Sequence, residues 1–146
     1  MTCQMPVEKD YVSTSMTATL GFDLVQISAI DESIRQFGDA FKNRLFTAGE
    51  LAYAHSGTGL CSERLASRFA AKEAVIKALN FSDSGIGWRD IEVLKNQDGD
   101  CFIDLHGRAT ELAVALGMHT LKISLSHDGD YAGAVVIALF VPVGKV

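Results

Sequence analysis

The chain has 146 residues, 48% of them hydrophobic, and its 18 acidic and 13 basic side chains give a formal net charge of −5. This length predicts one domain with a core large enough to need no disulfide or metal cross-links. An acidic chain is atypical of a general nucleic-acid-binding protein, which would be basic. We therefore expect no nucleic-acid partner.

The cysteines and the apolar segments bear on location. Cys3, Cys61 and Cys101 are far apart and form no CxxC pair, which is typical of reduced thiols in a cytoplasmic protein. Residues 1–16 contain no apolar signal core. The longest apolar run, residues 132–143, is too short to cross a bilayer. We expect a cytoplasmic protein without a membrane partner.

The N-terminal stretch is polar, and a regular pattern begins after it. Residues 1–16 are predicted to be a flexible extension, and residues 17–146 the folded domain. Residues 17–27 alternate as a strand does. Asp23 is unusual there, because aspartate is depleted in strands. It is either an edge residue facing water or a metal ligand near Gly21, which permits close approach.

Short helical pieces come next. Residues 30–37 and 41–46 have helical patterns on either side of Gly38. Thr47 and Glu50 then form a capping box that begins a further turn. Residues 55–60 contain two glycines but match no phosphate-loop motif, so they are interpreted as a connecting loop.

The longest helix is predicted over residues 62–79. Apolar residues recur at helical spacing, alanines fill the gaps, and Asn80 follows as a left-handed cap. Lys72 falls within the apolar stripe and Glu73 on its flank. Glu73 and Lys77 are spaced as a favourable surface ion pair, and the stem of Lys72 could cover the core. A carboxylate beside apolar residues must otherwise be paired, metal-bound or reached by solvent through a cleft.

The C-terminal half supplies strands around one more helix. Residues 90–94 and 101–105 are predicted strands joined by a turn at Asp98-Gly99. Residues 107–116 are a predicted helix, and residues 121–127 an alternating strand. Residues 131–141 are nearly all apolar, which favours a central or interface strand. The order of elements predicts an α+β fold with a long central helix packed on a small, mainly antiparallel sheet.

Three stretches in the same order resemble one known family. RFAAKEAVIKAL contains Glu73, GFDLVQI contains Asp23, and ISLSHDGDYAGAVVI contains His127. Together they are similar to the 4'-phosphopantetheinyl transferases of the holo-[acyl-carrier-protein] synthase type. The similarity extends from about Leu20 to Phe140. The chain departs from the family at Asn80-Phe81, where Gly-Thr is usual.

The resemblance implies a reaction and a set of roles. Coenzyme A would donate 4'-phosphopantetheine to a serine of an apo acyl carrier protein, with Mg²⁺ as cofactor, and leave adenosine 3',5'-bisphosphate. Asp23 and Glu73 would bind the metal. Glu73 would also act as general base, directly or through a metal-bound water, and Lys77 would neutralise charge on the pyrophosphate. The residues expected to hold the nucleotide phosphates are Arg68, Lys72, Ser126 and His127.

The carrier surface is where the chain differs from its family. Members meet acidic carriers with arginines on the first helix, and one such position is Ala29 here. Arg35 and Arg44 are the expected carrier contacts. Either the chain serves a dedicated carrier with a less acidic or differently patterned recognition helix, or these two arginines suffice.

Two other functions are compatible with the pattern. A non-catalytic carrier-protein or nucleotide-binding module could keep the same fold, although Asp23, Glu73 and Lys77 are all present. A purely structural oligomer would leave the two unusual carboxylates unexplained. Short family members assemble as trimers with the cofactor in a cleft between neighbours, so a homo-oligomer, specifically a trimer, is expected.

Overall fold

The structure, a computed structural model, describes residues 15–142. The predicted extension over residues 1–16 lies outside this range except for its last two residues. In chain order the elements are β1 (Thr17–Gln26), α1 (Ile27–Leu45), α2 (Ala48–His55), α3 (Cys61–Leu79), a 3₁₀ turn (Trp88–Asp90), β2 (Ile91–Lys95), β3 (Cys101–Leu105), α4 (Gly107–Ala115), β4 (Met118–Asp128) and β5 (Tyr131–Phe140).

Three local predictions from the sequence are confirmed: the break at Gly38, the capping box at Thr47 and the left-handed cap at Asn80. Gly38 has φ 58° and breaks α1 into the two predicted pieces. Both hydrogen bonds of the Thr47–Glu50 capping box are present. Asn80 ends α3 in the left-handed conformation, with φ 56° and ψ 47°.

The α+β class is confirmed, but the predicted single sheet is two sheets. One has three antiparallel strands in the order β1-β5-β4, and the other is the β2–β3 hairpin. The apolar strand β5 is central, as its composition predicted. Its alternate residues face α3 and are buried: Ala132, Ala134, Val136 and Ala138.

Small side chains let α3 lie close against the three-stranded sheet. Alanines at every fourth position form a buried row along the helix: Ala66, Ala70, Ala74 and Ala78. They meet the buried alanines of β5. Gly21 extends the close contact to β1, because a Cβ at this position would overlap the carbonyl oxygen of Ala74. The backbones of α3 and β1 are therefore in direct contact. This contact places the functional side chains of the two elements next to each other.

The opposite side of the sheet is apolar, and none of residues 15–142 covers it. We call it the outer face, formed by Leu20, Phe22 and Leu24 of β1 with Val135 and Ile137 of β5. The three β1 residues are each more than half exposed. Strand β1 thus exposes its larger apolar residues and turns Thr19, Gly21, Asp23 and Val25 toward α3.

Two further features are the state of the cysteines and the length and polarity of the helices. Cys61 and Cys101 are free thiols, and Cys3 lies outside the described residues. Within residues 15–142, no helix is both long enough and apolar enough to cross a membrane.

Candidate active site

The contact between β1 and α3 brings Asp23 to Lys77. The Lys77 ammonium lies 2.9 Å from Asp23 Oδ1 and donates to the carbonyl oxygen of Phe22 at 3.0 Å. Although β1 is an edge strand, Asp23 faces the helix, and its side chain is only 17% exposed. The interpretation of Asp23 as an edge residue facing water is therefore wrong.

Glu73 belongs to the same group. Partial burial raises the pKa of its carboxyl, the nearby Asp23 carboxylate raises it further, and Lys77 opposes both effects. Neighbouring carboxylates repel each other, and a cation bound to both would offset this repulsion. Carboxylate oxygens are also the protein ligands that Mg²⁺ prefers. The residues present therefore fit a magnesium ion.

Glu73 borders a hollow of about 320 Å³ between the end of α3 and the loop that follows it. Its lining combines the Glu73 carboxylate with four apolar side chains, and the complete set is Glu73, Ile76, Phe81, Ser82, Ile86, Gly87 and Trp88. A chain with both apolar and polar groups would fit such a lining.

A second group of predicted residues lies around a different hollow, also of about 320 Å³. Arg68, Ser126 and His127 are among its lining residues. Arg68 is 3% exposed, and its guanidinium stacks on the Tyr53 ring at 4.0 Å. Its Nε has no hydrogen-bond partner among residues 15–142. Burial lowers the pKa of Arg68, and an unsatisfied buried donor is costly, so an anion in this hollow would relieve both penalties.

Three cationic or aromatic residues of this hollow were not predicted. Arg64 lies one turn before Arg68, so helical spacing could have identified it. Lys95 is on β2 and lies 3.4 Å from the Tyr53 hydroxyl. The sequence pattern could not identify Tyr53 or Lys95 as neighbours of Arg68, because Tyr53 is on α2 and Lys95 on β2, whereas Arg68 is on α3. His127 lies 3.4 Å from Glu63 Oε1 on α3.

Comparison with known proteins identifies the family. A model described as the 4'-phosphopantetheinyl transferase superfamily matches residues 19–136. The chain belongs to this superfamily.

Similar proteins and structures agree with this membership. The holo-[acyl-carrier-protein] synthase of Gloeobacter violaceus is 43% identical over 117 residues, which cover 80% of this chain and 89% of that protein. That of Paramagnetospirillum magneticum is 44% identical over 127 residues, covering 84% and 95%. The Helicobacter pylori synthase solved with coenzyme A has a TM-score of 0.71 at 28% identity, covering 82% of this chain and 98% of that one. The Chronobacterium ammoniagenes coenzyme A complex has a TM-score of 0.74 at 32% identity, covering 85% and 98%.

In this phosphopantetheinyl transferase chain, the two predicted groups remain separate. Glu73 borders the hollow at the end of α3, whereas Arg68 borders the hollow beside Tyr53. Asp23, Glu73 and Lys77 form the first group. Arg68, Ser126 and His127 form the second, and the latter two also border a hollow on the outer face.

Lys72 requires a correction, because it lies in the interior and not at either group. Its side chain is fully buried and its ammonium lies 2.9 Å from the equally buried Glu50 carboxylate. The ammonium also donates to the carbonyl oxygens of Trp88 and Ile91. Burial lowers the pKa of Lys72, and Glu50 opposes this effect. With all three donors used internally, Lys72 has no surface with which to bind a nucleotide phosphate.

The predicted carrier contacts are on α1, and neither of them lines the hollow beside Glu73 or the hollow beside Arg68. Arg35 is exposed and pairs with Asp31 at 2.6 Å. Arg44 is exposed in the last turn and forms no salt bridge with any residue between 15 and 142. Ala29 is exposed in the first turn.

The buried pair yields a test of stability. Lys72→Met should lower the free energy of unfolding by about 3–5 kcal/mol, because the Glu50 carboxylate would stay buried without its partner. Adding Glu50→Gln removes that charge and should recover part of the loss, since the amide oxygen can still accept from Val93 N–H. Urea denaturation followed by circular dichroism measures both. A Lys72→Met variant with normal stability and weakened coenzyme A binding would restore the cofactor role.

Proposed function

We propose that this chain transfers the 4'-phosphopantetheine arm of coenzyme A to a serine of an apo acyl carrier protein. The observation that carries the proposal is the juxtaposition of Asp23, Glu73 and Lys77 at the contact of β1 with α3. The family membership and the names of the similar proteins support the same activity. We also expect a cytoplasmic location, on the basis of the scattered cysteines.

The transfer forms one bond and breaks one. The serine oxygen bonds to the phosphorus that carries the pantetheine, and the pyrophosphate bond of that phosphorus breaks. Adenosine 3',5'-bisphosphate leaves with the bridging oxygen and its electron pair. The serine proton passes to a base. Such a step depends mainly on positioning and charge neutralisation.

We assign the base to Glu73. Its raised pKa makes the carboxylate a better proton acceptor than an exposed glutamate. Asp23 and Glu73 would hold Mg²⁺, which when bound neutralises the charge of the pyrophosphate oxygens. Lys77 is half exposed and flexible enough to turn from Asp23 toward the same oxygens. Both carboxylates stand on a rigid strand or helix, which suits a site that must hold its geometry.

The nucleotide end of coenzyme A would occupy the hollow around Arg68. Its phosphates would satisfy the unpaired Nε of this buried arginine. Ser126 and His127 lie at the edge of the hollow and can donate to the same oxygens. Arg64 and Lys95 add positive charge.

Substitution of the carboxylates tests the site. Asp23→Ala and Glu73→Gln should each reduce transfer at least about 100-fold, since charge stabilisation by one group is worth that much in comparable sites. Both variants should remain folded, because removing one of two like charges relieves repulsion. The assay is intact mass of an apo carrier after incubation with coenzyme A and Mg²⁺. Glu111→Gln, on the exposed surface of α4, is the matched control.

The same assay distinguishes the alternatives. A non-catalytic module would bind coenzyme A or the carrier without increasing the mass of the carrier. Near-normal turnover by Asp23→Ala at ordinary Mg²⁺ concentration would contradict the site assignment.

We further propose that the chain is a homotrimer in which a neighbour covers the outer face. Exposed apolar patches of this kind mark interaction sites. The two groups of site residues lie at separate hollows of one chain, so a neighbour that closes a cleft would complete the binding surface. Head-to-tail contacts between three copies make a closed ring.

Disruption of the outer face tests the assembly. The unaltered chain should sediment at about three times its formula mass of 15.7 kDa, and Phe22→Glu should dissociate it and lower activity. Val114→Glu, at an equally exposed apolar position on α4, should change neither. An active species of 15.7 kDa would contradict the trimer.

We propose that α1 meets the carrier through Arg35 and Arg44. Arg35 already has an acidic neighbour at 2.6 Å, so Arg44 is the more available of the two. Opposite charge across an interface mainly sets the encounter rate and the choice of partner. With Ala29 in place of a further arginine, we propose a dedicated carrier whose recognition helix is less acidic than that of a fatty-acid carrier.

Charge changes on α1 test this surface. Arg44→Glu should raise the KM for the carrier on the order of tenfold and leave the KM for coenzyme A unchanged, whereas Arg108→Glu on α4 should alter neither. Ala29→Arg should speed the modification of an acidic fatty-acid carrier. If wild type and Ala29→Arg both modify that carrier rapidly and equally, the dedicated-carrier proposal is wrong.

A further inference from the structure

A second cluster of ionisable side chains lies on the β2–β3 hairpin, apart from the residues used above. Glu92 of β2 and Asp104 of β3 are directly opposite across the antiparallel pair. Like charges in such positions destabilise the pairing. His106, two residues after Asp104, completes the cluster.

The separations within the cluster suit coordination of one ion. His106 Nε2 lies 3.0 Å from Glu92 Oε1 and 3.8 Å from Asp104 Oδ2. Ligand atoms at about 2.0–2.2 Å from a tetrahedral zinc ion lie about 3.3–3.6 Å from one another. The two observed distances, 3.0 and 3.8 Å, fall on either side of this range and close to it. One ligand atom from each residue lies within 4.8 Å of the other two.

The surroundings orient one of the three side chains and fix the backbone of another. The other oxygen of Glu92, Oε2, accepts a hydrogen bond from the Thr47 hydroxyl, which leaves Oε1 directed at His106. An outer hydrogen bond of this kind is typical of metal-ligating residues. Although partial burial favours the neutral acid, the bonds from Thr47 and His106 hold the pKa of the Glu92 carboxyl below its ordinary value. The backbone N–H of His106 donates to the carbonyl oxygen of Asp90 at 2.7 Å, which holds the main chain at this residue.

We propose that Glu92, Asp104 and His106 form a binding site for a divalent cation of the zinc type. The imidazole decides the class, because nitrogen ligands suit Zn²⁺, Ni²⁺ and Cu²⁺, whereas Mg²⁺ and Ca²⁺ prefer oxygen alone. Three protein ligands leave a fourth position for water. Asp104 and His106 are both about half exposed, so an ion can enter from solvent. This site does not depend on the proposed transferase function.

Calorimetric titration of the full chain with ZnCl₂ tests the proposal. The protein is first stripped of metal with EDTA, and the pH is kept slightly alkaline so that imidazole is neutral. We expect one saturable zinc ion per chain. His106→Ala and Asp104→Asn should weaken binding by more than about tenfold. These two variants should also lose the zinc-dependent rise in melting temperature that ligand binding to the folded state produces.

Two controls separate this site from others. His119→Ala removes an exposed histidine of β4 outside the cluster, and Asp23→Asn removes a proposed magnesium ligand. Both should bind zinc as the unaltered chain does. Equal zinc binding by wild type and His106→Ala, or no saturable binding by wild type, would overturn the proposal. In that case the contacts of His106 with Glu92 and Asp104 are structural only.

Discussion

The close packing of α3 on β1 and β5 is the constraint on which the candidate site depends. A row of alanines on the helix meets alternating alanines on β5, and Gly21 admits the helix backbone against β1. Interiors of this density transmit small displacements rather than absorb them. Asp23 is therefore held beside Glu73 and Lys77 by backbone contact, not by the ion pair itself. The charged side chains at this contact are positioned by the close packing of alanine and glycine residues around them.

The buried Lys72–Glu50 ion pair has a structural role. It joins α3 to α2, and Glu50 also accepts the N–H of Val93 on β2. Buried ion pairs contribute little net stability because desolvation offsets their attraction. A buried ion pair nevertheless allows few alternative arrangements of the elements that carry it, because any displacement leaves a buried charge without its partner. We infer that this pair fixes how α2 and the β2–β3 hairpin sit against α3, and so shapes the hollow around Arg68.

Strand β1 links the chemistry to assembly. Its inner side carries Asp23, and its outer side carries Leu20, Phe22 and Leu24. Because successive residues of a strand point to opposite faces, one strand carries both the proposed metal ligand and the proposed contact with a neighbour. A change in oligomeric contacts at Phe22 would act one residue from Asp23, which makes coupling between assembly and activity a direct expectation.

The sequence by itself determined the elements, the capping box at Thr47, the left-handed Asn80 and the α+β class, because these follow from local periodicity and backbone preference. It also indicated Asp23, Glu73 and Lys77 through short motifs. Only the tertiary structure decided that Lys72 is interior, because a lysine within an apolar stripe can either reach the surface or meet a buried partner, and Glu50 lies on another helix. It likewise decided that Tyr53 and Lys95 join Arg68, and that Glu92 and Asp104 meet across two strands. Contacts between distant segments depend on packing, which local pattern does not encode.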